Sequence, residues 1–278
     1  MSVYNNVCNL ITIIILVINM KTRTLEEIKL TGLDNCYLAI YSIVNTINYK
    51  NNNTILIKTQ YTFVGLNTIG KKRFIGSFIE NNDDNRFWLD IFEAFKARGV
   101  KDILFMCINN NKALHRCLKA SFPNATIVPA VTDITDKFYN YFPDKFSTKI
   151  KEEIKSLFLQ NDLNDFTNIY TFFKEKYKSN VILNELIIKY LSDIDKLYKY
   201  DLFIRDVLFN TYKISLLRKR IIWEANKCGY IDNIDDLLNL LLNDLNNLEN
   251  FTSYHKKEWL NILSSFYTIK NQELENLI

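Results

Sequence analysis

Two basic triplets, Lys71-Lys72-Arg73 and Arg218-Lys219-Arg220, are the most conspicuous groups in the chain that could do chemistry on a partner. Clusters of this kind meet nucleic-acid phosphates without reading sequence, although they serve equally as a solvated surface. Arg220 and Glu224 also form an i,i+4 pair that supports a helix by itself. The inventory for nucleophilic catalysis is thin. His115 and His255 are isolated, and no acid or base lies close enough to His115 in sequence to suggest a triad. Cys8, Cys36, Cys107, Cys117 and Cys228 are scattered and unpaired by any CxxC spacing, which argues against structural zinc and against a disulfide framework. Asp133, Asp136 and Asp144 are the nearest acids in the middle of the chain. The i,i+3 pair Asp133 and Asp136 reads more simply as a helix opening than as an ion site. Trp88 and Phe92 are four apart, the spacing of a packed helix face, and Phe138, Tyr139, Tyr141 and Phe142 form an aromatic seam.

Those residues sit in 278 positions, 48% hydrophobic and 24% charged, with six Gly and three Pro and a formal charge of +4. Such a composition excludes a disordered or linker-rich chain, and its mild charge permits a nucleic-acid partner without demanding one. The 35 Asn residues are read as the bias of an AT-rich genome. Leu10 to Ile18 is almost wholly aliphatic. It is shorter than the ~20 residues of a membrane span and lacks the flanks of a signal peptide. A buried strand or a remnant of a lost upstream domain is expected there, with no membrane role and a cytoplasmic or otherwise intracellular location.

The elements that must position these groups follow from the hydrophobic period. β-prone runs over Tyr37–Ile47, Ile55–Leu66 and Arg73–Ile79 are separated by Asn51-Asn52-Asn53 and by Asn67-Thr68-Ile69-Gly70, which predicts an antiparallel meander. Phe87, Trp88, Ile91, Phe92 and Phe95 then recur at helical spacing up to Arg98-Gly99. A strand over Ile103–Ile108, a helix over Lys112–Ala120 and a strand over Thr126–Val128 complete the order β-β-β-α-β-α-β. A helix between the last two strands implies parallel pairing. Hairpins feeding a parallel pair is the arrangement of the ribonuclease-H-like fold, so the fold class is α/β with a mixed sheet. Helices are predicted beyond residue 133, over Ile150–Phe158, Asn161–Tyr177, Val181–Leu191, Ile204–Trp223, Asp235–Leu248 and Lys257–Phe266. The expected organisation is an apolar segment over 1–23, an α/β core over 24–133, a helical insertion over 134–203 and core-completing helices over 204–278.

The block Val64-Gly65-Leu66-Asn67, Gly70-Lys71-Lys72-Arg73-Phe74-Ile75-Gly76, Phe87-Trp88-Leu89 and Arg98-Gly99-Val100-Lys101-Asp102-Ile103-Leu104 resembles the Mutator-type transposases of bacterial insertion sequences. The resemblance runs through Phe122-Pro123 and more weakly through Ile204-Arg205, Ser215-Leu216 and Trp259, roughly residues 24 to 270. It implies cut-and-paste DNA transposition, a DNA partner, and two Asp and one Glu holding a pair of Mg²⁺ or Mn²⁺ ions about 3.5–4 Å apart. It also implies that both basic triplets lie near DNA. The family's carboxylate positions fall here on Leu38, Asn109 and Ile214, and its Cys-and-His signature falls on Ala130 and Asp133.

A shifted register does not restore the three acids. No Asp or Glu occurs from Asn35 to Ile79, from Ile103 to Thr132 or from Val207 to Trp223. Asp34 lies about 13 Å before Leu38 along a strand, and Glu224 about 15 Å beyond Ile214 along a helix. Asn109 offers a metal only a neutral carbonyl oxygen. The expectation is a transposase-like chain that has lost its metal site and holds no cofactor or small-molecule substrate. The alternative is a co-opted, non-catalytic DNA-binding or protein-interaction module, with self-association open to it. A nuclease relocated to Asp34, Asp133 and Glu224 ranks third.

Overall fold

The computed structural model describes residues 23–80, 84–108, 112–131, 134, 152–154, 156–158, 160–191, 194–209, 211–250 and 254–275. The readings made above for Leu10–Ile18, Asn109, Asp133, Asp136, Asp144 and the aromatic seam at 138–142 lie outside these residues.

A short helix α1 (Leu25–Leu30), opened by a Thr24–Glu27 capping box, leads into the meander β1 (Cys36–Asn51), β2 (Thr54–Asn67) and β3 (Lys72–Ile79). Then come α2 (Asn85–Ala97), β4 (Asp102–Cys107), α3 (Lys112–Ser121) and β5 (Thr126–Val128). The five strands form one mixed sheet in the order β3-β2-β1-β4-β5, antiparallel in the meander and parallel across β1, β4 and β5. Both turns of the meander use the residues that local chemistry favours. Asn52 takes a φ of 52°, and Gly70 a φ of 79°. The Asn67 side-chain oxygen accepts the N–H groups of Ile69 and Lys71. Gly65 is needed for another reason. A Cβ there would come within 2.3 Å of the Tyr37 ring, which crosses β2 at that point.

One face of the sheet packs on α2 and α3 through Trp88, Ile91, Phe92, Phe95, Leu114 and Phe122 against Tyr37, Ile40, Phe63, Ile103 and Met106. The other face carries Leu38, Tyr41, Ile43, Phe74, Phe105 and Cys107 and is covered by the C-terminal helices. Those are α6 (Leu202–Phe209), α7 (Tyr212–Cys228), α8 (Ile234–Leu240), α9 (Leu242–Asn250) and α10 (Lys256–Glu275). A third apolar cluster belongs to the middle of the chain, where α4 (Leu163–Lys176) and α5 (Val181–Leu191) gather around Phe166, Phe173, Leu183 and Ile187. A 3₁₀ turn (Asp195–Lys199) returns the chain to α6. The buried Arg205 holds this connection together, donating to the carbonyls of Gln160 and Asn161 at 2.7 and 2.6 Å.

Two helices expected to be continuous are broken. Ile204–Trp223 divides into α6 and α7. In an unbroken helix the Val207 carbonyl would accept the N–H of Thr211. Here it accepts the Tyr41 hydroxyl at 2.7 Å, and the Thr211 N–H turns to the Phe209 carbonyl at 2.8 Å. Asp235–Leu248 likewise divides at Leu241, whose N–H is shared between the carbonyls of Leu237 and Leu238. The amphipathic stripe runs through both breaks, so its period carried no sign of them. None of the described helices is long and apolar enough to cross a membrane.

Candidate functional site

The face of the sheet under α6 and α7 holds two of the three expected carboxylate positions, Leu38 and Ile214. β1 and β4 run parallel, with Tyr37 opposite Ile103, Ala39 opposite Phe105, Ile40 opposite Met106 and Tyr41 opposite Cys107. Leu38 lies between the first two pairs, alongside the start of β4, and is 3% exposed. It is also the extra residue of a β-bulge, because Tyr37 and Ala39 face the adjacent residues Asn67 and Leu66 of β2. The bulge turns both Leu38 and Ala39 toward the same apolar cluster. α7 packs across β1 and contributes the fully buried Ile214 to that cluster. Two of the three expected positions therefore share one face, and both are aliphatic.

The register adds a residue that sequence reasoning missed. The β1 residue beside the C-terminal end of β4 is Tyr41, three residues and about 10 Å beyond Leu38. Sites in parallel sheets form outside the carboxyl ends of strands. The Tyr41 ring is 2% exposed, and burial holds its hydroxyl protonated well above the usual phenol range. That hydroxyl is committed to the Val207 carbonyl. Farther along the same face, Asn45 and Gln60 are cross-strand partners and are 5% and 0% exposed. Gln60 Nε2 donates to Ser77 Oγ at 2.9 Å, while Gln60 Oε1 and both side-chain polar atoms of Asn45 find no partner among the described residues. Buried amides without partners are uncommon and costly.

No group of three His, Cys, Asp or Glu among the described residues could hold a metal ion. Two of the acids considered for a relocated site, Asp34 and Glu224, have partners elsewhere. Asp34 accepts from the Tyr37 hydroxyl at 3.2 Å and lies 4.0 Å from Arg73. Glu224, 4% exposed, pairs with Arg220 at 2.7 Å. Asp133 is outside the described residues. The buried Leu38, Tyr41 and Ile214 offer no ligand set suited to paired divalent ions.

The two basic triplets are divided by burial. Lys71 is exposed, but Lys72 is 2% exposed, and burial, reinforced by the charge of Lys213, lowers its ammonium to about 8. Arg73 turns inward to a network in which its Nε lies 3.7 Å from Glu249, which also pairs with Arg23. The first triplet is thus a strand edge with one outward cation. In the second, Lys219 is exposed, Arg218 is half-buried, and Arg220 is shared between Glu224 and Asp244. His255 is exposed, and neither it nor His115 joins a cluster of potential ligands among the described residues.

The more coherent surface lies on the outer side of α7. Ile214, Leu217, Ile221 and Glu224 point inward, so Tyr212, Leu216, Lys219, Trp223 and Lys227 line up outward at i, i+4, i+7, i+11 and i+15. Tyr212 is 66% and Trp223 51% exposed. The guanidinium of Arg220 lies 4.5 Å from the Trp223 ring centre and the Lys227 ammonium 5.0 Å from it. The helical spacing of the stripe is present in the sequence, but its outward direction depends on which side of the helix meets β1.

Comparison with known proteins follows the same span. A family model described as Transposase, Mutator family matches residues 13–264. A probable transposase for an ISRM3-like insertion sequence element of Sinorhizobium fredii is 18% identical over 246 residues, covering 88% of this chain and 62% of that protein. A transposase for the insertion sequence element IS256 in transposon Tn4001 of Staphylococcus aureus is 24% identical over 118 residues, covering 42% of this chain and 30% of that protein. The chain spans about 62% of the length of the first of these relatives.

Proposed function

The chain belongs to the Mutator family of transposases, and on that footing we propose that it is a DNA-binding member that no longer carries out strand transfer. The fold reading that goes with this is ribonuclease-H-like. It is supported by the sheet order β3-β2-β1-β4-β5, with antiparallel meander strands on one side and parallel strands on the other. The same reading takes 134–203 as a helical insertion and 204–278 as core-completing helices after the α/β core of 24–133, supported by the separate apolar cluster around α4 and α5 and by the packing of α6 to α10 on the sheet.

The loss of catalysis rests on the β1–β4 register. We read Tyr41, beside the end of β4, as better placed than Leu38 for the first carboxylate. Neither residue can ligate a divalent ion as a carboxylate does, and Ile214 cannot replace the Glu. The chemistry of this donor set does not suit Mg²⁺ or Mn²⁺.

DNA binding rests on the stripe of α7. Lys219 and Lys227 provide phosphate contacts, with Arg218, Arg220 and Lys71 at the margin. Tyr212 and Trp223 provide π-faces on which exposed bases stack. Such contacts tolerate many sequences and imply an intracellular location alongside DNA.

Mobility-shift titrations of short duplex and single-stranded DNA at several salt concentrations test the reading. Log K is expected to fall linearly with log salt by roughly 0.7–0.9 per phosphate contacted. Lys219→Ala should reduce that slope by about one contact, and Trp223→Ala should weaken single-strand binding on the order of tenfold. A slope near zero overturns the binding role. Nicking of supercoiled DNA in Mg²⁺ or Mn²⁺ that Asn109→Ala abolishes overturns the loss of catalysis.

A further inference from the structure

The β1–β2 hairpin projects beyond the rest of the sheet, and its two long edges are treated differently. On the β1 side, the Lys50 N–H donates to the Ile231 carbonyl at 2.8 Å, and the Ile231 N–H donates to the Asn48 carbonyl at 2.8 Å. A passing segment thus closes that edge with a parallel bridge at Tyr49. On the β2 side, β3 pairs only with Gln60 to Leu66, and a last bond from the Glu80 N–H to the Thr59 carbonyl ends the ladder. Residues 54–57 have no other strand beside them among the described residues.

The direction of the free groups follows from those bonds. Asn48 and Lys50 face away from β2, so Tyr49 and Ile47 face it, and so do their partners Leu56 and Lys58. Ile55, Ile57 and Thr59 alternate with these and face the open edge, in agreement with the Thr59–Glu80 bond. Ile55 and Ile57 therefore present N–H and C=O groups outward. Their side chains are 58% and 76% exposed, and that of Leu56 is 42% exposed. An exposed apolar strand edge with no described strand beside it is a template for pairing. The outer edge of β3 provides the contrast. There Glu249 accepts the Phe74 N–H at 3.1 Å, and the Arg98 guanidinium caps the Ile75 carbonyl.

We propose that this edge pairs with the same edge of a second copy of the chain, antiparallel, with the twofold axis at Leu56. The pattern of the strand is self-complementary about that residue. Ile55 then faces Ile57 of the other copy in two hydrogen-bonded pairs, which satisfy all four outward groups of each copy. Leu56 faces Leu56 in the close, non-hydrogen-bonded position. The four isoleucines form one β-branched patch across the new ladder. Charge favours the same register. Lys58 falls opposite Thr54, whereas an axis at Lys58 would set two lysines against each other. The contact is short and well below the ~1,200–2,000 Å² of standard interfaces, so association is weak and depends on concentration unless a shared DNA brings the copies together.

Disulfide trapping and sedimentation velocity test this on the full chain in a Cys228→Ser background, which removes an exposed thiol. Leu56→Cys should form a disulfide-linked dimer about tenfold faster than Thr54→Cys, because only position 56 meets itself within bridging distance. Sedimentation of the unmodified chain should show a dimer fraction that rises with concentration. Ile57→Lys should raise the dissociation constant about tenfold or more while leaving the circular dichroism spectrum and melting temperature unchanged, since that side chain is solvent-exposed. Equal trapping at positions 54 and 56 overturns the proposal, as does a monomer at every concentration or a dimer indifferent to Ile57→Lys.

Discussion

Under α2 and α3 the sheet meets interlocking rings. Phe63 and Phe95 sit edge to face at 5.3 Å, Phe92 and Phe122 at 5.9 Å, and Tyr61 and Trp88 at 5.0 Å. Under α6 to α9 the same strands meet mostly aliphatic side chains, together with Tyr41 tied to a helix carbonyl, an Asn45–Gln60 pair with polar atoms unpartnered among the described residues, and a buried lysine. The aromatic face spends its area on shape, with ring pairs adding to plain burial. The opposite face tolerates polar residues that an optimised core would exclude. The two faces are therefore built differently, ring against ring on one and aliphatic packing around polar groups on the other.

The largest test of this asymmetry is Trp88→Ala. It should cost about 3–5 kcal/mol in denaturant unfolding, near the upper limit for one side chain, and Ile214→Ala across the sheet should cost less. A larger loss at Ile214 would reverse the comparison. Next is Lys72. Its folded value of about 8 lies below the ordinary 10.5. Between those values the unfolded chain binds the extra proton, so stability rises with pH. The gain, on the order of 2 kcal/mol, begins near pH 8. Near pH 10 it is opposed, because unfolded tyrosines ionise while the buried Tyr37 and Tyr41 stay protonated. Lys72→Met should flatten the rise in urea midpoints between pH 8 and 10.

Smaller effects probe the polar groups of the site face. Tyr41→Phe deletes the hydroxyl from the Val207 carbonyl at the α6–α7 break and should cost about 1–2 kcal/mol in thermal unfolding. Asn45→Val should run the other way. It removes two buried polar atoms that have no partner among the described residues and should raise stability by about 1 kcal/mol. A destabilised Asn45→Val protein would mean that the amide has a partner that the fold alone does not reveal.

Much of the α/β half was legible. Alternating apolar runs and Asn- and Gly-bearing turns located the three-strand meander, and a change of period located α2. The chain does, however, extend β1 to Asn51 and continue β2 from Thr54, forming the arm whose edge is now the self-pairing surface. The tip was hard to read because exposed strands have no core to impose a pattern. The helix breaks were hidden because a hydrogen bond from a distant strand creates one of them. At the basic triplets, adjacency in sequence implied one surface, but successive strand residues point to opposite faces. That alternation separates the exposed Lys71 from the buried Lys72.

Residue types alone settle which side chains are available. Three windows contain no carboxylate, and a Gly-flanked hairpin followed by Phe-Trp-Leu and Arg-Gly-Val fits the family to which the chain belongs. No rearrangement can supply an acid that those windows lack. Which residues meet is a matter of register and of the faces that packing buries. Pairing with β4 brings Tyr41, and not Leu38, to the end of the parallel strands. Docking of α7 on β1 turns Ile214 inward and the Tyr212–Trp223 stripe outward. A bulge, a strand offset or a helix rotation costs little locally, so contacts made far away in the sequence fix each of them.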